Sequence, residues 1–196
     1  ELADLDERFD EDKIINSNSY GIAAAVQEAG GIPILLGIAR DQPASLMEKI
    51  KQGLTADILV LSGGVSMGDY DFTKAVFKDL GAEMHFWKLA IRPGQPLAFG
   101  KILGKLAFGL PGNPVSSMVT FEQLVRPAML KMGGHRSYGR PVVRAVFQEK
   151  FSKRPDRRHF LRGILSREND VLAVRTTGSQ GSGILTSMVK ANCLID

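Results

Sequence analysis

Apolar positions along the first two thirds of the chain alternate between a helical spacing and short continuous runs. Asn18 or Ser19 is placed to cap a helix over 20–29, and Gly30-Gly31 ends it. Residues 32–38 are almost all apolar, as in a strand buried on both faces. Pro43 suits a first helical position, and the amphipathic stretch after it stops at Gly53. Residues 58–61 read as a second buried strand, 62–71 as a loop, and 72–80 as a helix closed by Gly81. Residues 82–89 and 97–99 read as strands. A turn over 101–105 leads to a returning strand at 106–110. Residues 115–132 predict a long helix, kinked at Pro127 and ended by Gly133-Gly134. Strands alternating with helices predict an α/β fold: a mostly parallel sheet with helices on both faces.

From Pro141 onward the helical spacing disappears. Residues 142–147, 160–165, 171–175 and 184–189 predict short strands, with a flexible loop over 176–183. Strands of this number and length predict a small β-barrel or sandwich, without an obvious closing strand.

Charge divides the chain at the same place. Residues 1–135 carry 13 Lys and Arg against 16 Asp and Glu, net −3; residues 136–196 carry 12 against 5, net +7. Two domains are therefore expected, 1–135 and 136–196, the second incomplete. The densest basic cluster is Lys150, Lys153, Arg154, Arg157 and Arg158. It suits a solvated loop or an anionic small molecule. Nucleic acid is disfavoured, because few aromatics interleave and no recognition motif accompanies the cluster. No apolar run nears the ~18 residues of a membrane span. The single cysteine, Cys193, excludes an internal disulfide and a zinc ribbon, and fits a reducing cytoplasm. The opening at Glu1, with no leader, is expected of a piece of a longer polypeptide.

Candidate chemistry falls at predicted strand ends, where ligands bind in such sheets. Asp41 follows the 32–38 run. The loop after residue 61 holds Ser66 and three glycines, Gly63, Gly64 and Gly68, where the backbone can approach a ligand with no Cβ in the way and offer amides to an anion. Asp69 and Asp71 close that loop, where they could hold Mg²⁺ beside a phosphate or simply cap the next helix. Lys88 and Arg92 flank Leu-Ala-Ile ahead of Pro93-Gly94-Gln95-Pro96, and suit an oxyanion or structural salt bridges. Leu110-Pro111-Gly112-Asn113-Pro114 joins a strand to a helix whose start would attract an anion, or is a structural turn. Arg162 lies in a strand and Ser182 in the glycine-rich loop. The three histidines show no ligand spacing.

Three strings carry a resemblance: Ser62-Gly-Gly-Val-Ser-Met-Gly-Asp-Tyr-Asp71, Phe86-Trp-Lys-Leu-Ala-Ile-Arg-Pro-Gly-Gln-Pro-Leu-Ala-Phe-Gly100 and Gly109-Leu-Pro-Gly-Asn-Pro-Val-Ser116. With Thr176-Thr-Gly-Ser-Gln-Gly-Ser182, they closely resemble the MoeA family of molybdopterin molybdenumtransferases, to which the E domain of gephyrin belongs. The resemblance implies a molybdopterin-binding α/β domain followed by a small β-barrel domain. It implies an enzyme that takes adenylylated molybdopterin and molybdate, inserts the metal and releases AMP with Mg²⁺. It places Asp41, Asp71, Lys88 and Arg92 in catalysis, and Gly63, Gly64, Ser66, Pro111, Gly112, Pro114, Arg162 and Ser182 against substrate. Asp71 and Glu1 would be metal ligands. A cytoplasmic homodimer is implied, with the molybdopterin adenylyltransferase as a partner, no nucleic acid and no membrane. The family often has lysine where Arg92 and Gln95 stand. Its two N-terminal domains are missing, so this chain is expected to bind weakly and not turn over alone. Two alternatives stay open: an adenylyltransferase on the same fold, and a scaffold or binding module.

Overall fold

The computed structural model describes residues 2–5, 7, 12–65, 70–152 and 156–196, with backbone alone at 70–72. Two short strands, β1 (Leu2–Ala3) and β2 (Ile14–Ile15), pair in parallel and lead into α1 (Ser17–Glu28). The cap of α1 is Asn16, whose side chain accepts from the Ser19 N–H; the expected Asn18 is engaged elsewhere. Then follow α2 (Pro43–Gly53), β3 (Ile58–Ser62), α3 (Tyr70–Asp79), β4 (Glu83–Lys88), β5 (Ile91–Arg92), β6 (Pro96–Ile102) and β7 (Lys105–Leu110).

The main sheet has the order β3-β7-β6-β4. It corrects the expectation of a mostly parallel sheet. Only β3 and β7 pair in parallel; β7–β6 and β6–β4 are antiparallel. The reason is the two-residue turn at Leu103 and Gly104, both at positive φ, which folds β6 back on β7 as a hairpin. Helices do cover both faces. On one side Ile22 of α1 packs on Leu97, Phe108, Leu110, Phe121 and Val125. On the other, Ile50 of α2 and Val76 and Phe77 of α3 pack on Leu59, Ile102 and Ala107. The alternation of β3 explains this: Ile58 and Val60 face the first cluster, Leu59 and Leu61 the second.

Residues 32–38 are not a strand. They have no ladder partner among the described residues, and Ile32 is 90 % exposed. Gly37 turns at φ +74°, and the Lys49 ammonium takes the Leu36 carbonyl, so these backbone groups leave the ladder. Apolar composition predicts burial, but burial on both faces needs a neighbouring strand.

The long helix spans α4 (Pro114–Thr120), one π turn (Phe121–Val125) and α5 (Arg126–Met132). Pro127 has no N–H to give the carbonyl four residues back. The ladder shifts register there, and the Arg126 N–H bonds to the Phe121 carbonyl instead.

The remaining strands are β8 (Val146–Phe147), β9 (Arg158–His159), β10 (Leu161–Glu168), β11 (Val171–Thr176) and β12 (Cys193–Ile195). Four of them form an open sheet, β12-β10-β11-β8, which does not close into a barrel among the described residues. The strand expected over 184–189 is instead a one-turn helix, α6 (Thr186–Lys190). There Ser187 is buried and Met188 packs inward. The two sheets meet along a seam. β5 and β9 pair in parallel, and Val115, Val119 and Phe160 pack with Ile91, Met188 and Leu194.

Candidate functional site at the strand ends

The parallel pair β3 and β7 ends in two loops that touch. The Gly63 N–H continues the ladder to the Leu110 carbonyl at 3.0 Å. Gly63 and Gly64 then turn at φ +88° and +66°, a conformation that favours glycine. A Cβ on Gly112 would stand 3.6 Å from the Gly63 Cα, so the two backbones lie side by side. Asn18, at the start of α1, binds both loops: its Nδ2 donates to Ser62 Oγ and to the Gly112 carbonyl, each at 2.8 Å. Ser62 Oγ is also 3.3 Å from the fully buried Ser117 Oγ. Thr73 Oγ1 donates to the Gly64 carbonyl at 2.6 Å.

The start of α4 is less open to an anion than the sequence suggests. Pro114 has no N–H, the Ser117 N–H takes the Asn113 carbonyl, and the Val115 N–H takes the Ser182 carbonyl at 3.1 Å. The Asn113 side chain does not cap the helix; its Nδ2 donates to Ser182 Oγ at 3.1 Å. Ser182 therefore joins the turn holding Pro111, Gly112 and Pro114.

One residue back, the Gly181 carbonyl accepts from Nη2 of Arg162 at 3.2 Å. Arg162 is 1 % exposed, and its Nε donates to Ser187 Oγ at 3.1 Å. No carboxylate pairs with it among the described residues, and burial pushes its pKa down. A buried guanidinium held by neutral acceptors alone keeps an uncompensated charge, a standing attraction for an anion.

Lys88 and Arg92 are exposed at the two ends of a tight connection. Lys88 pairs with Pro96, the Leu89 N–H takes the Gln95 carbonyl at 3.0 Å, and the Arg92–Pro93 bond is cis. Gly94 is buried at φ +109°. Arg92 is the partner of His159 in the β5–β9 pair, three residues before Arg162. His159 is itself buried, and its Nε2 has no partner among the described residues.

Loops from β3, β7, β4 and the second sheet are thus linked by direct contacts. Asp41 is the exception. It is exposed ahead of α2, and no hydrogen bond or ion pair ties it to this group among the described residues. Glu1, Ser66, Gly68 and Asp69, with Lys153 and Arg154 of the basic cluster, lie outside the described residues, as does the Asp71 side chain. No three His, Cys, Asp or Glu side chains gather among the described residues. The sequence reading missed Asn18 as a bridge, and the side-chain contacts of Asn113 and Ser117. Asn18 offered a signal, but one shared with helix caps.

These contacts define an α/β unit whose parallel strand ends, where ligands bind in such sheets, are joined to a second sheet that carries cations. A family model described as "Probable molybdopterin binding domain" matches residues 4–131, and one described as "MoeA C-terminal region (domain IV)" matches residues 144–196. The chain belongs to the MoeA family. It is 36 % identical over 198 residues to a molybdopterin molybdenumtransferase of Haemophilus influenzae, covering 100 % of this chain and 49 % of that protein. To one from Nostoc it is 36 % identical, covering 99 % and 46 %. The crystal structure of a molybdopterin biosynthesis MoeA protein from Pyrococcus horikosii superposes with a TM-score of 0.79 at 32 % identity, covering 99 % of this chain and 46 % of that one. The chain spans about half the length of the curated relatives it matches.

Proposed function

We propose that this chain contributes the pterin- and oxyanion-binding half of a molybdopterin molybdenumtransferase. Its substrates would be adenylylated molybdopterin and molybdate, and AMP its released product. The α/β part, 1–135, would hold the pterin nucleotide along Gly63, Gly64, Pro111, Gly112 and Pro114. The part from 136 to 196, an open sheet whose edges β8 and β12 could take further barrel strands, would bring Arg162 and Ser182 against it. The matched spans 4–131 and 144–196 support that division.

The observation that carries the reading is the buried Arg162 guanidinium, without a carboxylate among the described residues and set beside Ser182 and the Gly112 turn. Both substrates are anions. Breaking the anhydride between pterin phosphate and adenylate builds charge on the departing phosphate, and fixed cations stabilise it best where water is excluded. Lys88 and Arg92 would meet the phosphates from the exposed side, Arg162 an oxyanion from the buried side. Asp41, Asp71, Ser66 and Glu1 enter this reading through the family resemblance alone. Asp71 and Glu1 would hold magnesium, whose charge would offset that of the phosphates. The cytoplasm, a homodimer and the molybdopterin adenylyltransferase as partner rest on the same resemblance.

Calorimetric titration with adenylylated molybdopterin, with and without molybdate, tests the reading. Saturable binding of both, with AMP released when the whole-length enzyme is used, is expected. ATP consumption with free molybdopterin would instead identify an adenylyltransferase. Peptide capture without pterin affinity would identify a scaffold.

A further inference from the structure

Gln95 sits on the turn between Lys88 and Pro96, and its side chain leaves the main sheet altogether. Its Oε1 accepts from Nη1 of Arg157 at 2.7 Å, across 62 residues of sequence. Arg157 lies at the foot of β9. That strand is fixed to the turn by the Arg158 N–H on the Ala90 carbonyl and the Phe160 N–H on the Arg92 carbonyl, each 2.8 Å. The backbone therefore delivers Arg157 to the turn, and Gln95 orients the guanidinium once there. Gln95 is neutral, so this bond orients the charge without cancelling it. The counter-charge present is Asp156, which accepts from Nε at 3.1 Å in an exposed pair. Such a pair is worth little in water. The neighbouring Arg158 is disposed differently: it pairs with Asp196 and lies 5.4 Å from the centre of the Phe160 ring.

We infer that Arg157 is a third cation of the Lys88–Arg92 turn, held there by Gln95 to bind the phosphates of the anionic substrate. This inference rests on the proposed role of Lys88 and Arg92. It adds a substrate-binding residue, Arg157, and a positioning residue, Gln95. A guanidinium fastened by Nη1 to Gln95 and by Nε to Asp156 leaves its remaining Nη N–H groups for a phosphate, a geometry an ammonium cannot copy.

Inorganic pyrophosphate at low ionic strength, followed by calorimetry and by fluorescence of Trp87, the only tryptophan, tests this. Arg157→Gln is expected to weaken binding about tenfold, the loss of one charge-assisted contact. Gln95→Leu keeps the charge but frees it, and is expected to weaken binding about threefold while Arg157→Lys fails to restore more than part of the loss. Arg158→Gln, the control for general positive field, should stay within about twofold. Circular dichroism of each variant should match the parent protein. Unchanged affinity in Arg157→Gln with loss in Lys88→Gln overturns the inference and leaves the parent reading standing. Equal losses in Arg157→Gln and Arg158→Gln overturn it as well. No pyrophosphate binding by the unaltered protein removes both.

Discussion

Asn113 and Ser182 lie 69 residues apart and are joined by an amide-to-hydroxyl bond of 3.1 Å. Asn113 precedes α4, the usual place for a side chain to satisfy the helix's own first N–H groups. Here it does not. The Ser182 carbonyl takes the Val115 N–H, and the Asn113 amide holds Ser182 in position to do so. The helix start in one sheet system is closed by a loop of the other.

Removing that amide by Asn113→Ala should therefore loosen the seam more than the local turn. One lost hydrogen bond is worth about 1 kcal/mol, which for a chain of this size lowers Tm by about 2–4 °C. Ser182→Ala should give a similar loss, and the double variant no more than either alone, since both remove one bond. Additive losses in a thermal melt would show that the two residues act independently.

Gly94 separates two costs that are often confounded. Its φ of +109° strains any side chain, and a Cβ there would meet Thr120 Cγ2 at 2.4 Å. Gly104, at the hairpin tip, has φ +80° but nothing within 4 Å. Gly104→Ala should cost about 1 kcal/mol from backbone strain alone. Gly94→Ala adds overpacking, and should cost about 2–4 kcal/mol in urea unfolding. It should also displace Lys88 and Arg92, whose connection it shapes. Equal losses at the two sites would mean the turn yields without resistance.

The elements that were legible in the sequence are those with their own punctuation. Pro43 and Gly53 bound α2, and both ends hold. The β6–β7 return is written by Leu103-Gly104 between two apolar runs. What failed depended on partners distant in sequence. Residues 32–38 have the composition of a buried strand, yet no strand lies beside them among the described residues. Residues 184–189 are too short for periodicity to separate helix from strand, and the deciding fact is Ser187 bonding Arg162. At the site, the glycine turns and the Lys88–Arg92 pair stand out as strings, but Asn18 bridging two loops and Gln95 orienting Arg157 do not. A side-chain amide that caps a helix and one that ties two loops are the same residue type.

Arg162 should show binding and stability moving apart. Replacing it by methionine removes a buried charge that no carboxylate among the described residues offsets, while Ser187 Oγ keeps its bond to the Ile184 carbonyl at 2.7 Å. Stability is expected to change by less than about 1 kcal/mol, or to rise, because a buried charge of this kind is often replaceable by an apolar side chain. Molybdate affinity, read by calorimetry, should fall at least about tenfold with the loss of a charge-assisted contact. A collapse in stability with unchanged molybdate binding would make Arg162 a structural residue.

Cys193 gives a pH signature. Burial beside β10 pushes its thiol above the ordinary range, only partly opposed by a backbone hydrogen bond at Leu165. The folded chain then holds its thiol proton more tightly than the unfolded chain does. The stabilisation is fully present below the ordinary thiol pKa of about 8.5, and fades as pH rises through the higher folded value. At pH 8 iodoacetamide should alkylate the native protein several-fold more slowly than the urea-unfolded chain, because less thiolate is present and access is poorer. Urea melts between pH 8 and 10 should show stability falling for the parent protein, and falling less in Cys193→Val. Identical slopes in the two proteins, or equal alkylation rates folded and unfolded, would show that the thiol is freely solvated at the strand edge.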